Sequence, residues 1–504
     1  MSETIRIKAN RGPLFHGRNQ SRATKAAPFS ILAILLAGCA VGPDFRTPTS
    51  PEVNRYLPER AADVPRGEDI QGRRLLRGAD VPASWWELFR SPALNQLVRD
   101  GIANNPELAA AEAAVRIAQA NAIAQRGALF PVVDASLNPS RQRIAGVLIN
   151  PETDEVTKIP PYNVTTGQVS VSFVPDVWGG TRRLVEASDA ETEAQIFQRE
   201  GVYLTLASNI ALAAIEEARL RAQIATTRQI VELQVQFLRI LQRQNDEGQI
   251  ALPDVVLQET AVAQARLLLP PLQKQLAQQM NLLATLTGRF PGDANRTAFH
   301  LTSFRLPREL PLSLPADVVR QRPDVRTAEA NLRSNNALIG AALADRLPQI
   351  VLSANVGRTR SNLPDLSPSG AFWAVAGNVG QKIFDGGTLY FRQRAAEEAT
   401  AKAIAQYRST VLVAFQNIGD VLRALQSDAA SIQAASRAEA TASRNIDLIR
   451  RQFEQGQVSV PTLIVAQNAF LQTSLAHIDA KAASLADTVA LFQALGGGWW
   501  NERK

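Results

Sequence analysis

Cysteine is almost absent: Cys39 is the single one among 504 residues, which excludes an intrachain disulfide framework and any cysteine metal cluster. Histidine is nearly as scarce. His16, His300 and His477 stand alone without metal-ligand spacing, so no metal centre or convergent acid–base site is drawn from them, and no enzyme is expected. No run of eighteen apolar residues follows Cys39, so any membrane crossing beyond it is expected to use β-strands. Gly179-Gly180 and Gly386-Gly387 lack the Lys-Ser or Lys-Thr that a phosphate-cradling loop needs, which leaves no nucleotide-driven machinery in the chain. A general basic excess is missing too. The net charge is +7, but six of the 54 basic and one of the 47 acidic residues precede Cys39, leaving 48 against 46. Nucleic acid is therefore not an expected partner.

What is present begins with an export signal. Arg6, Lys8, Arg11, Arg18, Arg22 and Lys25 lead into the apolar run Phe29 to Ala37, too short to span a bilayer. Leu36-Ala37-Gly38-Cys39 follows and resembles a bacterial lipobox, in which the cysteine becomes the first mature residue and carries acyl chains, palmitate among them. Cys39 is the expected lipid-attachment site, and no other cofactor is expected.

The chain is a duplication. Pro106, Ala111, Glu112, Ala113, Arg116, Ala124, Pro131 and Ser136 recur without gaps at Pro323, Ala328, Glu329, Ala330, Arg333, Ala341, Pro348 and Ser353. After a small shift, Arg243, Gly248, Gln249 and Pro253 recur at Arg451, Gly456, Gln457 and Pro461. Each copy opens with an Ala-rich helix at Asn105-Pro106-Glu107 or Arg322-Pro323-Asp324, where proline in the first turn and an acid beside it suit a helix N-terminus. Alternating segments follow. Val169, Val171 and Phe173 oppose Gln168, Ser170 and Ser172, while Ile350, Leu352, Ala354 and Val356 oppose Ser353 and Asn355. Such strands fit a barrel wall with lipid on one side and water on the other; a soluble sandwich with one wet face has the same pattern. Two strands per copy make four, too few to close a barrel, so a pore requires several chains.

Long helical patterns come next. Ile404, Val411, Ile418, Leu425, Ile432, Ile446 and Phe453 fall on one heptad seam and Tyr407, Ala414, Val421, Ala435, Ala442 and Ile449 on its partner, with breaks at Asp428 and Glu439. Tyr203, Ile210, Ile224, Val231 and Leu238 keep the same spacing in the first copy. A run of nearly seventy residues is about 100 Å long. Each ends at a glycine, Gly248 or Gly456, before a return helix; Pro270-Pro271 should kink the first return only.

These pieces, in this order, resemble the outer membrane efflux factor family of TolC-like proteins, in particular the lipoprotein branch associated with resistance-nodulation-division pumps. The matching stretches are Cys39-Ala40-Val41-Gly42-Pro43-Asp44-Phe45, Arg322-Pro323-Asp324 with Ala328-Glu329, Phe384-Asp385-Gly386-Gly387 and Leu495-Gly496-Gly497-Gly498-Trp499. The resemblance implies an α+β fold. A duplicated helical-hairpin and β-hairpin repeat would form one third of a 12-stranded transmembrane β-barrel plus a long periplasmic α-helical coiled-coil barrel. It implies a homotrimer in the outer membrane of a Gram-negative bacterium, contacting outer-membrane lipid. A periplasmic adaptor and an inner-membrane pump would feed it, and it would act as the passive exit duct of a tripartite efflux system for drugs or other toxic small molecules, hence multidrug resistance.

The expected division is a signal over 1–38, a lipid-anchored tether over 39–92, a first repeat over 93–300 and an equatorial linker over 301–315. A second repeat over 316–498 and a tail over 499–504 complete it. The β-hairpins fall at 131–177 and 349–384, the helical hairpins at 181–287 and 388–495. The resemblance puts adaptor docking at the hairpin turns, on Arg243, Gly248, Leu252, Arg451, Gly456 and Val460; the two glycines serve equally as helix C-caps. It puts the periplasmic constriction just after the second turn, where Thr462 and Val465 replace the family's aspartates, so closure there is expected to be steric and apolar. Trp85-Trp86 and Trp499-Trp500 fit either membrane-interface anchors or packing of the chain's ends. The competing readings are an exit duct for type I protein secretion and a lipid-anchored coiled-coil scaffold without a pore.

Overall fold

The computed structural model of the protein describes residues 40–49, 56, 74–143, 145, 147–149, 156–293, 297–307, 309–313, 315–362 and 369–501; the expected signal and Cys39, the expected lipid-attachment residue, lie outside the described residues. Strand β1 (Arg74–Arg77) and a 3-10 turn (Trp85–Phe89) precede the first repeat. That repeat runs α1 (Pro92–Asn104), α2 (Pro106–Gly127), β2 (Val132–Gln142), β3 (Val147–Ile149), β4 (Val156–Lys158), β5 (Tyr162–Phe173), α3 (Gly180–Asp246), α4 (Leu252–Leu267) and α5 (Leu269–Leu286). After β6 (Glu309–Leu312) come α6 (Pro315–Gln321), α7 (Pro323–Ala344), β7 (Gln349–Ser361), β8 (Gly370–Gly380), α8 (Thr388–Glu454) and α9 (Val460–Ala494).

The two long helices, α3 and α8, have 67 residues each, which sets a shaft of about 100 Å. Their return helices differ for a chemical reason. Pro270 and Pro271 supply no amide donor and crowd the preceding turn, so the first return is broken at Leu268 into α4 and α5. The second return, without proline there, is the continuous 35-residue α9.

The main core sits where the shaft meets the chain's N-terminal and C-terminal segments. Trp85, Trp86, Phe89, Ile210, Ala214, Leu425, Val489 and Phe492 are buried together, with the Trp85 and Phe492 rings stacked at 5.3 Å. The segment between the repeats is more than a linker: β6 pairs in parallel with β1, Arg74 opposite Glu309 through Arg77 opposite Leu312. The tryptophan pairs pack on the body. Trp499 Nε1 donates to the Gln321 carbonyl at 2.7 Å and Trp500 Nε1 to Asp80 Oδ1 at 2.8 Å.

Candidate functional site

One continuous antiparallel sheet, ordered β2-β5-β7-β8, joins the two repeats. Its register puts like with like. Val133 faces Val171, Val169 faces Val356, and Val356 faces Trp373, so Val133, Leu137, Val356, Trp373, Val375 and Val379 share one exposed apolar face. The pleat sends the alternate residues to the other side. There Ser136 meets Gln168, Ser170 meets Asn355, Ser172 meets Ser353, and the Thr166 and Thr359 hydroxyls bond across the strands at 3.2 Å. Among the described residues the outer edges of β2 and β8 have no strand partner. A four-stranded sheet wet on one face, apolar on the other and open at both edges is a segment of a wall, since unpaired edges are stable in a membrane only when a further strand closes them.

Each long helix leaves the sheet through a duplicated junction. Gly179 and Gly387 take positive φ of 79° and 84° as N-caps of α3 and α8, a conformation glycine adopts without strain. An aspartate completes each cap. Asp176 accepts from the Thr181 and Arg182 amides at 3.0 and 2.9 Å; Asp385 accepts from Leu389 and Gly387, both at 2.9 Å. Those amides, Leu389 foremost, hold the Asp385 carboxyl below its usual range. Asp176 does the work of Asp385 although two extra residues separate it from its glycines. The N-terminal segment is seated at the first junction. The Val41 amide donates to the Trp178 carbonyl at 2.9 Å, and the buried Arg183 donates to the Val41 and Gly42 carbonyls and to Asp44.

At the far end of the shaft the two hairpin turns lie together. Gly248 and Gly456 have φ of 72° and 70° and close their helices as left-handed caps. Arg243, Leu252 and Arg451 are exposed, and the Arg243 Nε donates back to its own helix, at the Arg239 carbonyl. Val460 differs from the other residues of the expected docking set. It is buried with Leu241 and Val255 in an apolar plug that ties the two turns together, so its side chain packs the tip. Thr462 and Val465 are both exposed on the first turns of α9, three residues apart and hence on one face, with Thr462 Oγ1 and Ser459 Oγ 3.1 Å apart.

Above the plug the packing turns polar. Gln234 on α3, Gln258 on α4 and Gln467 on α9 are all fully buried. Gln258 Nε2 donates to the Gln234 carbonyl at 3.1 Å, but the side-chain amides of Gln234 and Gln467 have no protein hydrogen-bond partner, nor have the buried Thr227 and Ser474 hydroxyls a heptad further on. The heptad breaks read in α8 have partners on α9. Glu439 faces His477, and Asp428 hydrogen-bonds Asp487, whose carboxyl is pushed up by burial. On the opposite flank of α9, Asp479 accepts from Arg219 and Gln223 of α3 at 2.8 and 2.7 Å.

Comparison with known proteins agrees with this architecture. The sequence matches the family described as outer membrane efflux protein over residues 97–289 and 314–497. It is 28% identical over 481 residues to the toluene efflux pump outer membrane protein TtgC of Pseudomonas putida, covering 94% of this chain and 95% of that protein. It is 27% identical to the pyoverdine export outer membrane protein OpmQ of Pseudomonas aeruginosa, over 83% of this chain and 88% of that one. The fold matches the Campylobacter jejuni CmeC outer membrane channel with a TM-score of 0.82 at 21% identity, covering 92% and 96% of the two chains.

Proposed function

The chain belongs to the outer membrane efflux protein family, and from that premise we propose that it is the outer-membrane exit duct of a tripartite efflux system, passing small molecules from the periplasm to the outside without catalysing a reaction. The observation that carries the reading is the two-faced sheet with open edges mounted on two 67-residue helices. Four strands enclose no channel, so the duct is a homotrimer whose sheets join edge to edge into a twelve-stranded barrel. The relatives' printed roles in toluene efflux and pyoverdine export support a small-molecule cargo over a secreted protein. Imaging of the detergent-extracted mature protein tests this: three-fold tubes with a shaft of about 100 Å are expected, and solid rods would return the scaffold reading.

The membrane-proximal end carries the anchor. In this reading Cys39 is acylated, and the seating of Val41 and Gly42 against Trp178 and Arg183 supports it, because the chain is fixed two residues after Cys39 at the base of the sheet.

At the other end a periplasmic adaptor, bridging to an inner-membrane pump of the resistance-nodulation-division type, docks on the exposed Arg243 and Arg451. Arg243→Glu with Arg451→Glu is expected to cut adaptor crosslinking several-fold, because like charges face across a polar interface; unchanged crosslinking would remove both residues from the docking surface.

Thr462 and Val465 form the constriction. With no carboxylate ring there, divalent cations have no ligand set of the kind they favour, which is built of oxygen anions, and the duct's basal conductance is expected to be insensitive to them. Thr462→Asp with Val465→Asp should create a site of six carboxylates per trimer and a cation block in the same single-channel recording. A wild-type channel that is itself blocked at this point would sink the apolar-closure reading.

A further inference from the structure

The arginines of the sheet all lie on one side of it, the apolar side, which the barrel reading turns away from the cargo. Along β7 the apolar face runs Ile350, Leu352, Ala354 and Val356, and then continues as Arg358 and Arg360. The register places Arg358 opposite Gly167 and Ala371, and Arg360 opposite Thr165. On β2 the same face runs Val133, Ala135, Leu137 and Pro139 to Arg141, opposite Asn163. All three arginines are exposed and none makes an ion pair among the described residues. The alternate, polar face of the same strands carries Asn138, Ser140, Thr166, Thr359 and Ser361 at this level and no basic residue. Had these cations served the transported compound, the pleat would have put them inside.

Their height is equally specific. From Ile350 to Arg358 is about 27 Å along the strand, and with the usual tilt of a barrel strand about 20 Å across the membrane. Trp373, outward beside Val356, marks the interfacial level at which tryptophan is favoured. The arginines therefore stand just beyond the apolar band, at the end of the sheet remote from the helical shaft. Arg358 and Arg360 are about 7 Å apart and Arg141 two strands away, about 12 Å from Arg360. Guanidinium groups at that spacing match phosphate, which they bind through paired N–H donors.

From these positions we infer that Arg141, Arg358 and Arg360 form an outward-facing binding surface for phosphate-bearing lipid headgroups of the outer leaflet. The inference rests on the barrel reading, which assigns the apolar face to lipid. The surface repeats three times around the ring and collars the duct at the level where it leaves the membrane.

The test uses the full chain reconstituted in nanodiscs with bis-phosphorylated lipid A, counting retained lipid A by native mass spectrometry after detergent exchange. Wild type is expected to retain it, and to retain dephosphorylated lipid A poorly. The triple variant Arg141→Gln, Arg358→Gln, Arg360→Gln should bind on the order of a hundredfold more weakly, and Arg360→Gln alone about fivefold; the single variant keeps the test valid if the triple one does not insert. Equal retention of the two lipids by wild type would overturn the inference. So would a triple variant that retains lipid A like wild type. Channel conductance, recorded in parallel, separates the two levels: a conducting duct without lipid preference loses only this inference, whereas a protein that never conducts loses the duct itself.

Discussion

Arg322→Ala is expected to destabilise the second repeat by about 2–3 kcal/mol. Arg322 lies almost buried at the start of α7. Its Nε and Nη2 hold Asp324 at 3.0 and 2.7 Å while Nη1 donates to the Ala494 carbonyl at 2.8 Å. One side chain thus closes the repeat, tying the first helix to the last residue of the return helix. Removing it leaves the Ala494 carbonyl without that donor and Asp324 without its counter-charge. Asp324 is 45% exposed in its side chain and can rehydrate, which keeps the loss below the ~3–5 kcal/mol typical of a fully buried pair. Arg322→Lys keeps the charge but offers no planar fork, so it should recover less than half of the difference. The measurement is the midpoint of thermal loss of helix signal in detergent, with the exposed Arg320→Ala as the control. Equal midpoints for Arg322→Ala and Arg320→Ala would sink the lock.

The first repeat carries the same lock in different chemistry. Asn105 Oδ1 accepts from the Glu107 and Leu108 amides at 2.8 and 3.2 Å, and Nδ2 donates to the Leu286 carbonyl at 3.0 Å. Leu286 and Ala494 end equivalent return helices. Half of this was legible in sequence. Asparagine before proline announces a cap, and Oδ1 performs it. The other half was hidden, because the repeat offset changes between the strands and the hairpins, so nothing in the linear order aligns Asn105 with the far end of its own hairpin.

Elsewhere legibility followed the strength of local periodicity. The strand pairs and their two faces were readable, since alternation with period two leaves one register that matches valine to valine and serine to serine. The proline break in the first return followed from the missing amide donor. The burial of Val460 is not announced by its place at a turn; it shows only in the stripe that Leu463 and Gln467 continue along α9, all three being buried. Asp428 and Glu439 looked like defects in a heptad. They are the positions where α8 meets polar groups of α9, a relation that needs the second helix to be seen. The outward arginines were missed for the opposite reason: their positions were visible, but the sheet face at the strand ends was assigned only by the register.

Gln467→Leu is expected to tighten the shaft just above its tip by about 1–3 kcal/mol, corresponding to a roughly 5- to 150-fold shift between loosened and packed hairpins. The Gln467 amide is fully buried between helices with no protein partner for either its oxygen or its nitrogen, and an unmet amide in such surroundings costs more than an apolar group of similar size. The plug of Leu241, Val255 and Val460 therefore holds the hairpins at their turns, while the glutamine level above it holds them weakly. α9 is pinned again only further up, by Asp479 against Arg219 and Gln223. A weak stretch between two fixed points is where the return helix can leave the first hairpin at least cost. Leucine at 467 should slow hydrogen exchange along the first turns of α9 and lower the frequency of channel openings, whereas Gln467→Ala, which opens a cavity in place of the amide, should do neither. The sign of the leucine effect decides the matter. If Gln467→Leu is neutral or loosening, an ordered water already satisfies the amide, the glutamine level is a rigid polar network, and the hinge of the tip must be sought below it at the plug.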